Sequence, residues 1–193
     1  RLASKFHKYS KIVYCSSGAV YGKQPSNLNN IREDFPFLDI DTLTDIKKDY
    51  TLSKRNAESQ IKEYGSNGYN VSIARCFAFY GKHLPENGHF AYASFLKSAT
   101  KGENIVVNAD HEVIRSYMHA NDLVDSLIKI ALTSNQFCPI YNVGSDIPIS
   151  IFSLADQIAR KYNVKVILQN TIDRNKVDRY VPDTTKLKTL LLG

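Results

Sequence analysis

The chain has 193 residues and a formal net charge of +6, with 43% hydrophobic and 23% charged residues, a balance typical of a globular domain with its own core. No apolar run approaches the ~20 residues of a membrane span, and the basic residues are dispersed, so we expect neither a membrane nor a nucleic acid as partner. The spacing of Cys15, Cys76 and Cys138 does not suit zinc, so we predict no metal site and three buried free thiols in a reducing cytoplasm.

Strands and helices alternate along the chain. Residues 1–9 are basic, lack the apolar core of a secretory signal and are typical of the end of an amphipathic helix, so we expect further sequence upstream. Apolar runs, helical spacing and turn residues then predict the following elements: strand 11–15, loop 23–49, helix 49–64, strand 71–79, loop 82–90, helix 90–101, strand 105–108, helix 122–133 capped by Asn121, strand 140–143, helix 151–162 capped by Ser150, strand 164–168 and helix 184–192. This alternation predicts an open α/β sheet with ligands at the carboxyl ends of its strands.

The end of the first strand and the start of the first helix carry groups with complementary chemistry. The strand runs into Ser16-Ser17-Gly18-Ala19-Val20-Tyr21-Gly22, and the helix opens with Tyr50-Thr51-Leu52-Ser53-Lys54. Tyr50 and Lys54 share one helix face, and an ammonium group one turn away stabilises a phenolate. Such a tyrosine can accept a proton from a sugar hydroxyl, or return one to a ketone, while a hydride moves. A serine such as Ser17 can hydrogen-bond the same oxygen.

These two segments resemble the extended short-chain dehydrogenase/reductases, and more narrowly their nucleotide-sugar epimerase/dehydratase branch. Further segments agree with that branch, in its order along nearly the whole chain: Ala74-Arg75-Cys76-Phe77-Ala78-Phe79-Tyr80-Gly81, Arg115-Ser116-Tyr117-Met118-His119-Ala120-Asn121-Asp122, Tyr141-Asn142-Val143-Gly144, and Asp178-Arg179-Tyr180 followed by Asp183 and Lys186. The resemblance implies the C-terminal part of a Rossmann-like doubly wound parallel sheet with a small α/β substrate-binding lobe. Residues 1–81 would be the later part of the NAD(P)-binding domain. Residues 82–193 would be mainly the lobe, with one return segment at about 111–145.

The resemblance also implies roles for individual residues. Tyr50 would be the catalytic acid/base, Lys54 its partner and Ser17 the hydroxyl that positions the substrate oxygen. The cofactor, NAD or NADP, would be contacted by Tyr50, Lys54, Phe77 and Phe79. The substrate, a nucleotide-diphosphate sugar, would be contacted by Ser17, Ala78, Arg115 and Arg174, with the two arginines at the diphosphate. Members of this family commonly form dimers, so a homodimer is a further expectation.

Three departures from the family pattern bear on function. Gly18 and Ala19 stand where the sugar dehydratases carry an Asp-Glu pair, which favours an epimerase or a 4-keto-sugar reductase over a 4,6-dehydratase. Ala78 stands where the family has an asparagine, which leaves the identity of the sugar open. The glycine-rich turn that holds the cofactor pyrophosphate is absent from the sequence. The main expectation is therefore an epimerase or a 4-keto-sugar reductase. The alternatives to it are a nucleotide-sugar 4,6-dehydratase-like enzyme and a catalytically incomplete fragment that acts as a binding or assembly unit.

Overall fold

A computed structural model describes residues 9–84 and 90–193. Residues 1–8 of the predicted helix end and residues 85–89 of the predicted loop lie outside the described residues. The strands are β1 Lys11–Ser17, β2 Asn70–Cys76, β3 Phe79–Tyr80, β4 Ile105–Val107, β5 His111–Arg115, β6 Met118–His119, β7 Ile140–Val143, β8 Ile149–Ser150, β9 Val166–Leu168 and β10 Asp173–Tyr180. The helices are α1 Asp45–Ser66, α2 Ala91–Thr100, α3 Ala120–Leu132, α4 Ile151–Tyr162 and α5 Thr185–Leu192, with a 3-10 helix at Gly18–Tyr21. In the described part of the chain, no helix has the length and apolar character of a membrane span.

The main sheet has the order β1-β2-β7, and its strands are all parallel. Successive side chains of a strand point to opposite faces, and here both faces are covered. On one face, Ile73 packs with Ile61 of α1. On the other, Ala74 packs with Leu123 of α3 and Leu187 of α5. Helices on both faces of a parallel sheet make a doubly wound α/β architecture, so the predicted fold class is confirmed.

A second group of elements surrounds its own apolar cluster. Strands β10 and β5 pair in parallel, β8 adds to β5 antiparallel, and β4 pairs with β9. Helices α2 and α4 pack together beneath them through Phe95 and Leu154, in a cluster that also holds Ile105. The chain returns to the main sheet through α3, β7 and α5. The predicted division at residue 81, with a return segment at 111–145, stays a prediction; β5, at the start of that segment, pairs with β10 and β8.

Two predicted helix starts were wrong. Helix α1 begins at Asp45 rather than at residue 49, because an acidic side chain in the first turn stabilises the helix N-terminus. Tyr50 therefore lies in the second turn of the helix. Helix α3 begins at Ala120, and its N-cap is His119, whose Nδ1 accepts a hydrogen bond from the Asn121 N–H at 3.2 Å. The Ser150 cap of α4 is confirmed, since its side chain accepts from the Ser153 N–H at 3.0 Å.

The cysteine prediction was right in one part and wrong in another. All three cysteines are free. Cys138 is buried, but Cys76 is only half-buried and Cys15 is exposed. An apolar run predicts a buried strand, but β1 pairs on one side only among the described strands, with β2. Within the described part of the chain, side chains of β1 therefore reach solvent.

Candidate functional site

Helix α1 is fixed against the end of β1 by hydrogen bonds to the 3-10 helix that follows the strand. The Thr51 hydroxyl donates to the carbonyl of Ala19 at 3.2 Å, and Arg55 Nε donates to the carbonyl of Val20 at 2.7 Å. Arg55 also donates to the carbonyl of Leu38 at 2.8 Å. These contacts position the helix turn that carries Tyr50 and Lys54.

Tyr50 and Lys54 lie side by side at the carboxyl end of β1. Tyr50 is 49% exposed. Lys54 Nζ lies 5.7 Å from the centroid of the Tyr50 ring and 5.2 Å from that of Tyr14, and it donates a hydrogen bond to the Cys15 carbonyl at 3.0 Å. An ammonium group is thus held beside a solvent-accessible phenol at the edge of the sheet where ligands of doubly wound folds bind.

Ser17 is the last residue of β1, and its hydroxyl already has two neighbours. It accepts a hydrogen bond from the Ala19 N–H at 3.2 Å, as the N-cap of the 3-10 helix, and it lies 3.4 Å from Tyr180 Oη. Burial raises the pKa of Tyr180 above its ordinary value, although the hydrogen bond with Ser17 opposes this shift. Sequence reasoning assigned no role to Tyr180. Its only signal was its place in the Asp178-Arg179-Tyr180 segment.

A cavity of about 610 Å³ joins α1 to the β5–β10 pair. Its lining includes Tyr50 and Thr51 from α1, Arg115 from β5 and Tyr180 from β10, together with the basic residues Lys23, Lys47 and Arg179. Pockets of this volume hold small organic ligands. The concentration of cations on its wall favours a ligand with negative charge.

Arg115 is tied to the neighbouring strand. Its guanidinium donates to Asp178 Oδ2 at 2.8 Å, to the Asp178 carbonyl at 2.8 Å and to the Ile114 carbonyl at 2.9 Å. Burial by itself raises the pKa of Asp178, but the hydrogen bond and charge of Arg115 outweigh it and lower that pKa below its ordinary value. Both side chains line the cavity as an ion pair.

The other residues predicted for the site lie elsewhere. Arg174 is exposed and lines a different cavity, with Glu112 and Phe152. Phe77 is 4% exposed, in a cluster with Val20 and Tyr21. Phe79 packs against the core of the main sheet, and the Ala78 carbonyl accepts from the Met118 N–H at 3.1 Å. The structure therefore brings Tyr50 and Arg115 to one cavity, with Lys54 and Ser17 next to it. The ligand contacts predicted for all these residues stay predictions.

A buried polar network beneath the site was not predicted. Arg75 of β2 donates to Glu58 of α1 at 2.7 Å and to Tyr21 Oη at 2.8 Å. Ser16 donates to the same carboxylate at 2.6 Å, and Tyr21 donates to Asn142 of β7 at 2.8 Å. Burial raises the pKa of Tyr21 to about 12, against the effect of Arg75. An arginine inside an apolar strand was the available signal, since a buried charge needs partners.

Comparisons with known proteins agree with this architecture. The sequence profile of the NAD dependent epimerase/dehydratase family matches residues 1–144. UDP-glucuronic acid decarboxylase 3 of Arabidopsis thaliana is 27% identical over 150 residues, which are 76% of this chain and 43% of that protein. UDP-N-acetyl-alpha-D-glucosaminuronate decarboxylase of Bacillus cytotoxicus is 25% identical over 194 residues, which are 93% of this chain and 57% of that protein. The chain thus spans about half the length of these curated relatives.

Solved structures support the fold. The dTDP-glucose 4,6-dehydratase from Bacillus anthracis in complex with NAD has a TM-score of 0.79 at 19% identity, over 100% of this chain and 58% of that one. The UDP-glucose 4-epimerase of Thermus thermophilus in complex with NAD has a TM-score of 0.76 at 22% identity, over 93% of this chain and 57% of that one. The family resemblance inferred from the sequence motifs is confirmed by the profile match.

Proposed function

Because the chain belongs to the NAD dependent epimerase/dehydratase family, we propose that it forms part of an enzyme that transiently oxidises one hydroxyl of a nucleoside-diphosphate sugar. The proposed net reaction is epimerisation, or reduction of a 4-keto sugar if only the returning half-reaction runs. The observation that carries the proposal is the half-exposed Tyr50 in the cavity wall, beside the ammonium group of Lys54.

Each proposed catalytic group has a distinct task. Tyr50 takes the proton from the sugar hydroxyl and later returns it, and the positive charge of Lys54 stabilises the phenolate form. Ser17 turns its hydroxyl from Tyr180 to the substrate oxygen. The 3.4 Å separation of those two hydroxyls is long for an O–H···O bond, so this exchange costs little.

Arg115 is the proposed diphosphate contact. A guanidinium suits two phosphate oxygens at once, and this one already lines the cavity. To bind the diphosphate in this way, it must release its bond to the Asp178 carboxylate. Lys47 and Arg179 add positive charge to the same wall. The role proposed for Arg174 receives no support from its place in another cavity.

The residues present fit the nicotinamide-ribose end of NAD or NADP. The Lys54 ammonium and the exposed Cys15 stand at the carboxyl end of β1 next to Tyr50, which offers donors to ribose hydroxyls and an accessible sheet edge. When bound, the cofactor supplies a hydride acceptor and donor. The sequence contains no glycine-rich turn for the pyrophosphate, so its binding groups would be supplied from outside this chain segment.

The acid/base groups of the cavity favour epimerisation or reduction over dehydration. Loss of water needs a second acid to protonate the leaving hydroxyl, and Gly18 and Ala19 offer none. Among the described residues that line the cavity, Asp178 is the one carboxylate, and it is paired with Arg115. Decarboxylation is a second candidate, because several relatives are UDP-glucuronic acid decarboxylases and a ketone beside the carboxylated carbon is enough to release carbon dioxide.

Replacing Tyr50 tests the mechanism. In the full-length enzyme, Tyr50→Phe is expected to lower kcat by about 100-fold or more, with the thermal midpoint unchanged because the side chain is half exposed. Turnover is measured on UDP-glucose, UDP-glucuronic acid and a 4-keto sugar nucleotide, with products identified by NMR. Tyr14→Phe is the matched control: its ring also contacts Lys54, and full activity is expected. A Tyr50→Phe enzyme with wild-type kcat would refute the mechanism.

The same assay separates the enzyme from a binding or assembly unit. A binding unit would hold sugar nucleotides in a calorimetric titration yet turn none of them over, and Tyr50→Phe would then change neither signal. Turnover that depends on Tyr50 excludes this alternative. The nature of the product then decides between epimerase, reductase and decarboxylase.

A further inference from the structure

Two cysteines lie diagonally across neighbouring strands at the edge of the candidate site. Ser17 of β1 lies opposite Cys76 of β2, and Cys15 lies two residues before Ser17 on the same strand. Because side chains alternate along a strand, all three point to the same face. Cys15 and Cys76 are therefore diagonal neighbours on one side of the sheet.

The Cys76 thiol contacts the strand position opposite Cys15. Its Sγ donates to the Ala74 carbonyl at 3.7 Å, and Ala74 is the residue directly opposite Cys15 in the register. The Cys76 side chain therefore lies next to the position of Cys15, on the face of the sheet that the two cysteines share.

The surroundings give the two thiols different character. Cys15 is exposed, and Lys54 Nζ donates to its backbone carbonyl. The hydrogen bond from Cys76, with the charge of Lys54, lowers the pKa of Cys15 to about 6 against the opposing effect of burial. The hydrogen bond with Cys15 and burial raise the pKa of Cys76. Cys15 is thus the accessible thiolate, and Cys76 is a sheltered neutral thiol beside it.

We propose that Cys15 and Cys76 form an oxidation site that hydroperoxides convert into an intramolecular disulfide, with Cys15 as the nucleophile and Cys76 as the resolving thiol. The Cys15 thiolate attacks the peroxide, the O–O bond breaks, and a sulfenic acid forms, while the leaving oxygen takes a proton from solvent and departs as water or an alcohol. The sulfur of Cys76 then attacks the sulfenic sulfur, an S–S bond forms, and the oxygen leaves as water with the Cys76 proton. The two thiols lose two electrons in total, and the peroxide gains them.

Peptide mapping of the full protein tests this proposal without reference to catalysis. The reduced protein is treated with a small excess of hydrogen peroxide, free thiols are blocked with N-ethylmaleimide after unfolding, and the digest is analysed by mass spectrometry. The expected product is a Cys15–Cys76 linked peptide that lacks two hydrogen atoms, in a protein that remains a single chain without reductant. Cys138, which is buried, is expected to be recovered fully blocked by the maleimide.

Matched variants assign the two roles. With dimedone present, Cys76→Ser and Cys76→Ala are expected to accumulate a sulfenic acid adduct on Cys15, because the second step has lost its thiol. Cys15→Ser is expected to leave Cys76 reduced, and Cys138→Ser to behave as wild type. Reduced Cys15 and Cys76 after peroxide treatment, a link to Cys138, or a Cys15 disulfide between two chains would each overturn the proposal.

Discussion

The ion pair between Arg75 and Glu58 is buried, with side chains 3% and 1% exposed. Removing one member of such a pair leaves the other charge without compensation in the interior, which costs more than the pair contributes. Glu58→Gln, which keeps the shape, is therefore expected to lower the free energy of unfolding by about 3 kcal/mol. Urea unfolding measures the change.

The exposed Arg32–Asp34 pair is the control for this prediction. Its side chains are 69% and 72% exposed, so water screens the charges and Asp34→Asn is expected to leave the urea midpoint unchanged. Equal effects of Glu58→Gln and Asp34→Asn would mean that burial of the Arg75 network does not govern its contribution.

The Arg115–Asp178 pair predicts a pH dependence at the cavity wall. Because the folded pKa of Asp178 is depressed, its contribution to stability is present above the unfolded value of about 4 and is lost as pH falls through the folded pKa. Asp178→Asn is expected to lower the free energy of unfolding at pH 7 by roughly 1 kcal/mol. The difference from wild type should shrink to nothing in acid. A difference that stays constant from neutral pH to acid would contradict the depressed pKa.

At the scale of secondary structure, the mostly apolar strands of the main sheet and the helices were predictable, and the charged strand β10 was not. The parallel strands β1, β2 and β7 are mostly apolar, and α4 has regular helical spacing with a serine cap. Strand β10 reads Asp-Arg-Asn-Lys-Val-Asp-Arg-Tyr, which has no apolar alternation. It forms because β5 offers a parallel partner, and this long-range pairing leaves no local signal.

Helix caps give a prediction at this scale. The Ser150 side chain accepts from the Ser153 N–H, whereas the N-cap Thr44 of α1 makes no side-chain hydrogen bond. Ser150→Ala is expected to lower the free energy of unfolding by about 1 kcal/mol, and Thr44→Ala to have little effect. Thermal unfolding of the two variants checks this, and a larger loss in Thr44→Ala would show that cap geometry is not the cause.

At the scale of the whole molecule, the residues that meet at the edge of the main sheet could be predicted from the sequence. The residues that the β5–β10 pair brings to the cavity and the partners in the buried Arg75 network could not. Tyr50 and Lys54 were predictable because one helix turn joins them, and Ser17 because parallel strands end at one edge. Tyr180 and Asp178 reach the cavity only through the β5–β10 pairing. The partners of Arg75 are Glu58 of α1, Tyr21 of the 3-10 helix and the carbonyl of Glu33, and a single sequence does not reveal which residues those are.

Phe77 links the main sheet to the β5–β10 pair. Its N–H donates to the Val143 carbonyl at 2.8 Å, and its ring lies 4.5 Å from the ring of Tyr180. The Phe77 side chain packs against two glycines, Gly18 and Gly144. A Cβ added at Gly18 would lie 2.5 Å from the Phe77 ring, and one added at Gly144 would lie 2.9 Å from the Phe77 Cβ. This junction therefore contributes to the stability of both parts.

Two core substitutions test this coupling. Phe77→Ala is expected to cost about 3–5 kcal/mol and to raise hydrogen exchange in β1 and β2 as well as in β5 and β10. Leu154→Ala, in the separate cluster beneath α2 and α4, is expected to cost about 2–5 kcal/mol and to raise exchange mainly in those two helices. Because exchange reports the opening free energy of each segment, native-state measurement by mass spectrometry separates the patterns. If Phe77→Ala left β5 and β10 as protected as in the wild type, the two parts would be stable independently and the Phe77 junction would not couple them.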